Sequence, residues 1–91
     1  MRPSLDELRE RLAGAFPDGQ IHLQDDSHLH AGHAGATGGA GHFSVRIVSS
    51  SFVGLRTIAR HRLVYDSVRD WLPDRIHALS IEARCPDEAG Q

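Results

Sequence analysis

The spacing of apolar positions changes repeatedly along the chain, from helical to alternating and back. Leu5, Leu8, Leu12 and then Ala15 or Phe16 recur at helical intervals, with Asp6, Glu7, Arg9, Glu10 and Arg11 on the other face. Ser4 followed three residues later by Glu7 reads as a capping box, in which hydroxyl and carboxylate satisfy free amide donors at a helix start; Gly14 and Pro17 bracket the stop. Over Gln20–Gln24 the period shortens to two, with Ile21 and Leu23 on one face and His22 and Gln24 on the other, which predicts a short half-buried strand. Phe43, Val45 and Ile47 alternate with His42, Ser44 and Arg46, a second strand most simply paired antiparallel with the first and closed by Ser49-Ser50-Ser51. The period then lengthens again. Leu55, Ile58, Ala59, Leu63, Val64, Val68 and Leu72 form an apolar stripe at 3.6-residue spacing, expected as the longest helix, broken near its end and stopped by Pro73. Ile76–Arg84 predicts a third strand with His77, Leu79, Ile81 and Ala83 on one face, and residues 86–91 a polar tail. The order is helix, strand, strand, helix or helix pair, strand, without internal repeat.

One stretch fits none of these periods. Asp26–Gly41 is sixteen residues long and contains five Gly, four Ala and the histidines His28, His30 and His33. Connections longer than about 12–15 residues are uncommon in compact domains and are usually functional or disordered. A flexible, imidazole-bearing loop is therefore expected over residues 26–41, and its histidines are solvated residues or ligands. The spacings His28-Leu29-His30 and His30-Ala31-Gly32-His33 let such a loop offer one imidazole, or two at once to a mononuclear zinc, copper or nickel ion.

Composition narrows the classes. At 91 residues the chain is expected to be a single domain. Ten basic residues, all Arg, against twelve acidic ones leave a near-neutral balance that announces neither nucleic acid nor membrane. A lone Cys85 excludes an internal disulfide and any CxxC motif, and reads as a free thiol in a reducing compartment. The amphipathic pattern begins without a hydrophobic signal region, and no apolar run approaches spanning length, so a cytoplasmic location without membrane contact is the expectation.

With the elements placed, a set of motifs runs nearly end to end: Asp26-Ser27 followed by a loop histidine, His42-Phe43 opening the second strand, Ser50 or Ser51 with Phe52 and Gly54, the block Arg60-His61-Arg62-Leu63-Val64-Tyr65, and His77-Ala78-Leu79 at the third strand. In these the sequence closely resembles the BolA family. The resemblance implies an α/β fold of α+β type, like the type II KH domain, in the order α-β-β-α-(α)-β, with a three-stranded mixed sheet covered by helices on one face. It also implies pairing with a monothiol glutaredoxin and glutathione around a shared 2Fe-2S cluster, in iron sensing or cluster delivery, with this chain alone a monomer or weak homodimer. In that arrangement the glutaredoxin cysteine and a glutathione thiolate hold one iron, and two ligands from the BolA-like partner hold the other. Residue by residue, the C-terminal ligand falls on His77 and the loop ligand on His30, with His33 and His28 as alternates because this loop is longer and richer in Gly than usual. The acidic and hydroxyl pair that often precedes the His-Phe step is here Ala40-Gly41, which is expected to loosen the loop's anchor.

The remaining residues divide between surface and partner roles. His22 and His42 alternate outward on their strands and read as solvated or sheet-surface residues, and His61 as a helix-surface or partner-facing one. Arg56, Arg60, Arg62 and Arg69 give the long helix a basic face, by default a solvated one; its functional readings are a docking surface for an acidic partner or the glutathione and glutaredoxin side, or a DNA contact, as transcription regulators of this family would use. Phe52-Val53-Gly54-Leu55 is not the GxxG loop with which KH domains clamp a nucleic-acid backbone. An enzyme is not expected: no nucleophile stands with a plausible base, and the Gly-rich stretch lacks the Lys and following helix of a phosphate loop.

Overall fold

The computed structural model describes residues 1–30 and 39–89, the side chains of Leu29 and His30 excepted. Helix α1 (Leu5–Ala15) starts on the expected capping box: Ser4 Oγ accepts from the Glu7 amide, and the Glu7 carboxylate accepts from the Ser4 amide, both at 3.0 Å. Strand β1 (Gln20–Asp25) leads into a 3-10 turn (Ser27–His30), and strand β2 (Gly41–Val48) returns antiparallel to it. A second 3-10 turn (Ser50–Phe52) and Gly54 at φ +77° bring the chain to helix α2 (Thr57–Ser67), a third 3-10 turn (Arg69–Trp71) and strand β3 (Ile76–Arg84). β3 runs parallel to β2, so the sheet is mixed, in the order β1-β2-β3. A parallel pair needs a crossover, and α2 supplies it.

The expected architecture is the one observed, and the core explains it. Phe43, Val45 and Ile47 on the central strand pack with Leu8, Leu12, Phe52, Val64, Val68, Ile76 and Leu79 between the sheet and the two long helices. Each such side chain contributes about 1.5–3 kcal/mol when fully removed from water. The sheet's other face is open and polar: His22, Gln24, Ser44, Arg46, Ser80 and Glu82 line a shallow concavity of about 490 Å³. Arg46 and Glu82, opposite each other on β2 and β3, pair there at 2.7 Å.

Two expectations are corrected. The long helix breaks near its end as expected, at Ser67 before the 3-10 turn, but its apolar stripe is not all buried: Ile58 is 67% and Leu63 39% exposed. The rotation of α2 is set by hydrogen bonds to the outer strand: Tyr65 Oη donates to the Leu79 carbonyl at 3.1 Å and Arg60 Nη1 to the Ala83 carbonyl at 3.1 Å. Those contacts turn Val64 and Val68 inward and leave Ile58 outside. Second, the start of the polar tail is helical, α3 (Pro86–Ala89), with the Glu88 carboxylate accepting from the Cys85 amide and the Glu88 amide donating to the Cys85 carbonyl, each at 3.0 Å. Cys85 itself is buried. Where the Ala40-Gly41 step rejoins the sheet, the chain is paired with the outer strand. The Gly41 amide donates to the Arg75 carbonyl at 2.9 Å, and Gly41 pairs with Ile76 on β3. The glycine is required by packing, because a Cβ at Gly41 would lie 2.4 Å from the Phe43 ring.

Candidate metal centre

The site is built where β2 begins. Asp26, at the end of β1, donates its amide to the His42 carbonyl at 2.7 Å, and the His42 amide donates to Ser27 Oγ at 3.1 Å. The Asp26 carboxylate accepts from the Ser44 hydroxyl, and from Gln24 Nε2 at 2.7 Å. Asp25 Oδ1 accepts from the Ser27 amide at 2.9 Å, an Asx turn that opens the 3-10 turn. Burial pushes the Asp25 carboxyl up, but the Ser27 hydrogen bonds and the charges of Arg2 and His28 outweigh it and hold the group below its ordinary value. Part of the segment expected to be flexible is thus pinned to the central strand. His28 is exposed on this turn. His30 closes the turn, and His33 lies outside the described residues.

Across the parallel pair the register slips. Gly41 faces Ile76 but His42 faces Ala78, so one step on β2 is matched by two on β3, and His77 is the extra residue of a bulge. Strict alternation had put His77 on the face of Leu79. Instead Ile76 and Leu79, three apart, both point into the core, and His77 stands exposed. Bulges re-aim side chains in this way, frequently next to functional sites. The freed imidazole meets a second one: the His42 and His77 ring centroids are 5.1 Å apart, with planes tilted by 49°.

His42, expected as a solvated or sheet-surface residue, keeps the outward face but is not solvated: it is 7% exposed. It is the site residue the alternation rule missed. A signal existed in its place on the strand that becomes central, one step after the histidine-rich connection rejoins the sheet. The structure therefore brings together His77, His42 and, through the His42 backbone, the turn carrying His28 and His30. Among the described residues no three His, Cys, Asp or Glu side chains converge on a point that could hold a metal ion.

The basic helix face is only partly realised. Arg60 is not a surface cation: its side chain, 13% exposed, grips the Glu88 carboxylate at 2.6 and 3.2 Å and the Leu55 carbonyl at 2.8 Å. The Arg60 guanidinium, with the Cys85 amide, pulls the Glu88 carboxyl down to about 2. Arg69 pairs with Asp66. Arg56 and Arg62 are exposed, the latter beside Ile58, His61 and Tyr65 around a shallow concavity of about 480 Å³.

Fold and site together define a small α+β domain with a histidine pair at the bulged edge of a mixed sheet. The family model described as BolA-like protein matches residues 12–88, and the chain belongs to the BolA family. Among curated relatives, it is 43% identical over 86 residues to SufE-like protein 1, chloroplastic/mitochondrial, and 41% identical over 85 residues to Protein BOLA1, chloroplastic, both of Arabidopsis thaliana. The alignments cover 89% and 90% of this chain but 23% and 53% of those relatives, so the chain spans about half their length or less. Its fold matches the solved structure of BolA1 from Arabidopsis thaliana at a TM-score of 0.79 and 38% identity, over 98% of both chains. BolA1 from Mus musculus matches at 0.75 and 34% identity, over 97% of this chain and 69% of that one. Both plant relatives carry organelle names, so family membership does not by itself carry the cytoplasmic location expected above. Among the described residues no helix is long and apolar enough to cross a membrane.

Proposed function

We propose that this protein is a non-enzymatic partner of a monothiol glutaredoxin, and that the two, with glutathione, hold a shared 2Fe-2S cluster used in iron sensing or cluster trafficking. The observation that carries the reading is the setting of His77: an exposed imidazole on a bulge of the outer strand, packed on His42 and linked through it to the histidine-bearing turn. The donor chemistry fits. Neutral imidazole ligates iron in Rieske-type centres, where two histidines replace two thiolates and raise the potential. A cluster shared with a partner asks this chain for two ligands, which suits a site with no third donor among the described residues. His77 is one ligand. The other comes from the histidine segment, His30 first, with His33 and His28 as alternates. The partner cysteine and glutathione would hold the other iron of the same cluster, and an exposed His77 permits their approach. When bound, the cluster supplies the redox centre and the visible chromophore; the chain's part is to present imidazoles at a fixed spacing.

The test is co-expression with a monothiol glutaredoxin and glutathione, comparing visible absorption and circular dichroism for the wild type, His77→Ala and His30→Ala. A 2Fe-2S spectrum distinct from that of the glutaredoxin homodimer, altered by His77→Ala, is the expected result. Failure of the proteins to associate, or a spectrum indifferent to both substitutions, defeats the reading and turns attention to DNA. There the engaged Arg60 weakens the case, and Arg56, Arg62 and Arg69 would have to carry a salt-dependent affinity. A mononuclear metal ion would draw on the loop histidines His28, His30 and His33, of which the side chains of His30 and His33 lie outside the described residues.

A further inference from the structure

We propose that His42 is a positioning residue for His77: its ring holds the His77 imidazole in one orientation and ties that orientation to the segment Ser27–His30. The inference rests on the reading of His77 as a ligand and deepens it. Three observations carry it. His42 is 7% exposed although its neighbours on the same face of β2, Ser44 and Arg46, are half-buried and exposed; its burial arises locally, not from the helix-covered core. Its partner across the parallel pair is Ala78, too small to fill the position, so the bulk beside the bulged residue is the His42 ring, 5.1 Å from that of His77. Its backbone is held on both sides by the other half of the site, carbonyl by the Asp26 amide and amide by Ser27 Oγ. A single residue on the rigid central strand thus touches both ligand-bearing elements.

The physical need is plain. An exposed side chain samples several rotamers, and ordering it costs free energy at the moment of ligation. A buried ring packed against His77 makes that selection beforehand, as outer groups do for metal-ligating histidines generally. The restraint also keeps the spacing between His77 and the turn from drifting as a glutaredoxin approaches.

The experiment compares His42→Phe, which keeps a planar ring, with His42→Leu, which keeps apolar bulk without one. Both fill the site, and unfolding curves confirm that both fold. In the chain alone, ring relaxation of His77 by NMR should match wild type in His42→Phe and show a clear gain in mobility in His42→Leu. In the complex with a monothiol glutaredoxin and glutathione, loss of the cluster to a chelator should be about tenfold faster for His42→Leu, the lower range for disrupting such outer partners. His42→Phe should stay within about twofold. The reduced cluster's EPR g-values should shift only with His42→Leu. A His77 ring equally ordered in the wild type and His42→Leu, with equal cluster lability, overturns the proposal. If no shared cluster forms with the wild type, the functional reading fails, while the ring mobility in the chain alone still decides whether His42 restrains His77.

Discussion

Replacing Gly41 by Ala tests how tightly the site is anchored to the core. An added Cβ would lie 2.4 and 2.8 Å from Cε2 and Cζ of Phe43, and 2.9 Å from Cβ of Arg2. Apolar carbons rest about 3.5–4.0 Å apart, so the nearest contact is about 1 Å too close. The Phe43 ring is only 2% exposed and sits on the central strand, so it can retreat only by displacing the core. Such overpacking typically costs about 1–3 kcal/mol. The lost freedom of the unfolded chain returns about 0.4–1 kcal/mol. A net destabilisation of about 1–2 kcal/mol follows, roughly 5–15 °C in Tm for a domain of this size. Gly14→Ala is the control. It lies in α1 with nothing within 4 Å of the new methyl, and should stabilise by about 0.5 kcal/mol through helix propensity. Urea and thermal unfolding followed by circular dichroism measure both. A Gly41→Ala protein as stable as wild type would refute the packing argument, and with it the claim that this glycine is chosen for the Phe43 ring.

Asp18 accepts hydrogen bonds from Ser49 Oγ at 2.6 Å, from Ser50 Oγ at 2.6 Å and from the Ser50 amide at 2.9 Å, which pull its carboxyl down to about 2. A depressed carboxylate stabilises the fold above its ordinary value of 3.8 and loses that contribution as pH falls toward about 2. Asp18→Asn should therefore be less stable than wild type at pH 7, with a gap in unfolding midpoint that narrows between about pH 4 and 2; a gap independent of pH would contradict it. Arg60→Ala breaks the tie among α2, β3 and α3 and should lower Tm by several degrees, whereas the exposed Arg62→Ala should stay within about 0.5 kcal/mol. Equal effects of the two would restore Arg60 to the surface. Trp71, 9% exposed with the guanidinium carbons of Arg11 and Arg75 at 4.0 and 4.9 Å from its ring centroid, should cost about 3–5 kcal/mol as Trp71→Ala in chemical denaturation.

The elements were legible because their periodicity is local. The Ser4–Glu7 box, the alternation over Phe43–Ile47 and the limits of the third strand each depend on neighbours a few residues away, and each is found where the spacing puts it. The rotation of α2 was not legible. Seven apolar residues at helical spacing mark a stripe wider than one helix can bury against three strands, and side-chain bonds from Arg60 and Tyr65 to β3 select which part goes in. Residues 86–89 looked like a tail because they carry no apolar period, yet Pro86 at a helix start and Glu88 reaching back to the Cys85 amide are end signals that need no period at all.

The site shows the same division more sharply. His77 is singled out as a candidate by the family block, but its exposure rests on a register slip between two strands separated by the whole of α2, and no count along one strand can show a residue inserted relative to another. The alternation rule makes His77 a companion of Leu79 and His42 a solvated or sheet-surface residue. His77 leaves its expected face because β3 is bulged, whereas His42 keeps the face of Ser44 and Arg46 and is buried there by its local surroundings. A histidine exposed by a bulge, beside a histidine buried on the neighbouring strand, is the setting on which the proposed ligand role of His77 rests. That arrangement makes His42, rather than a further residue of the Gly-rich connection, the next one to change.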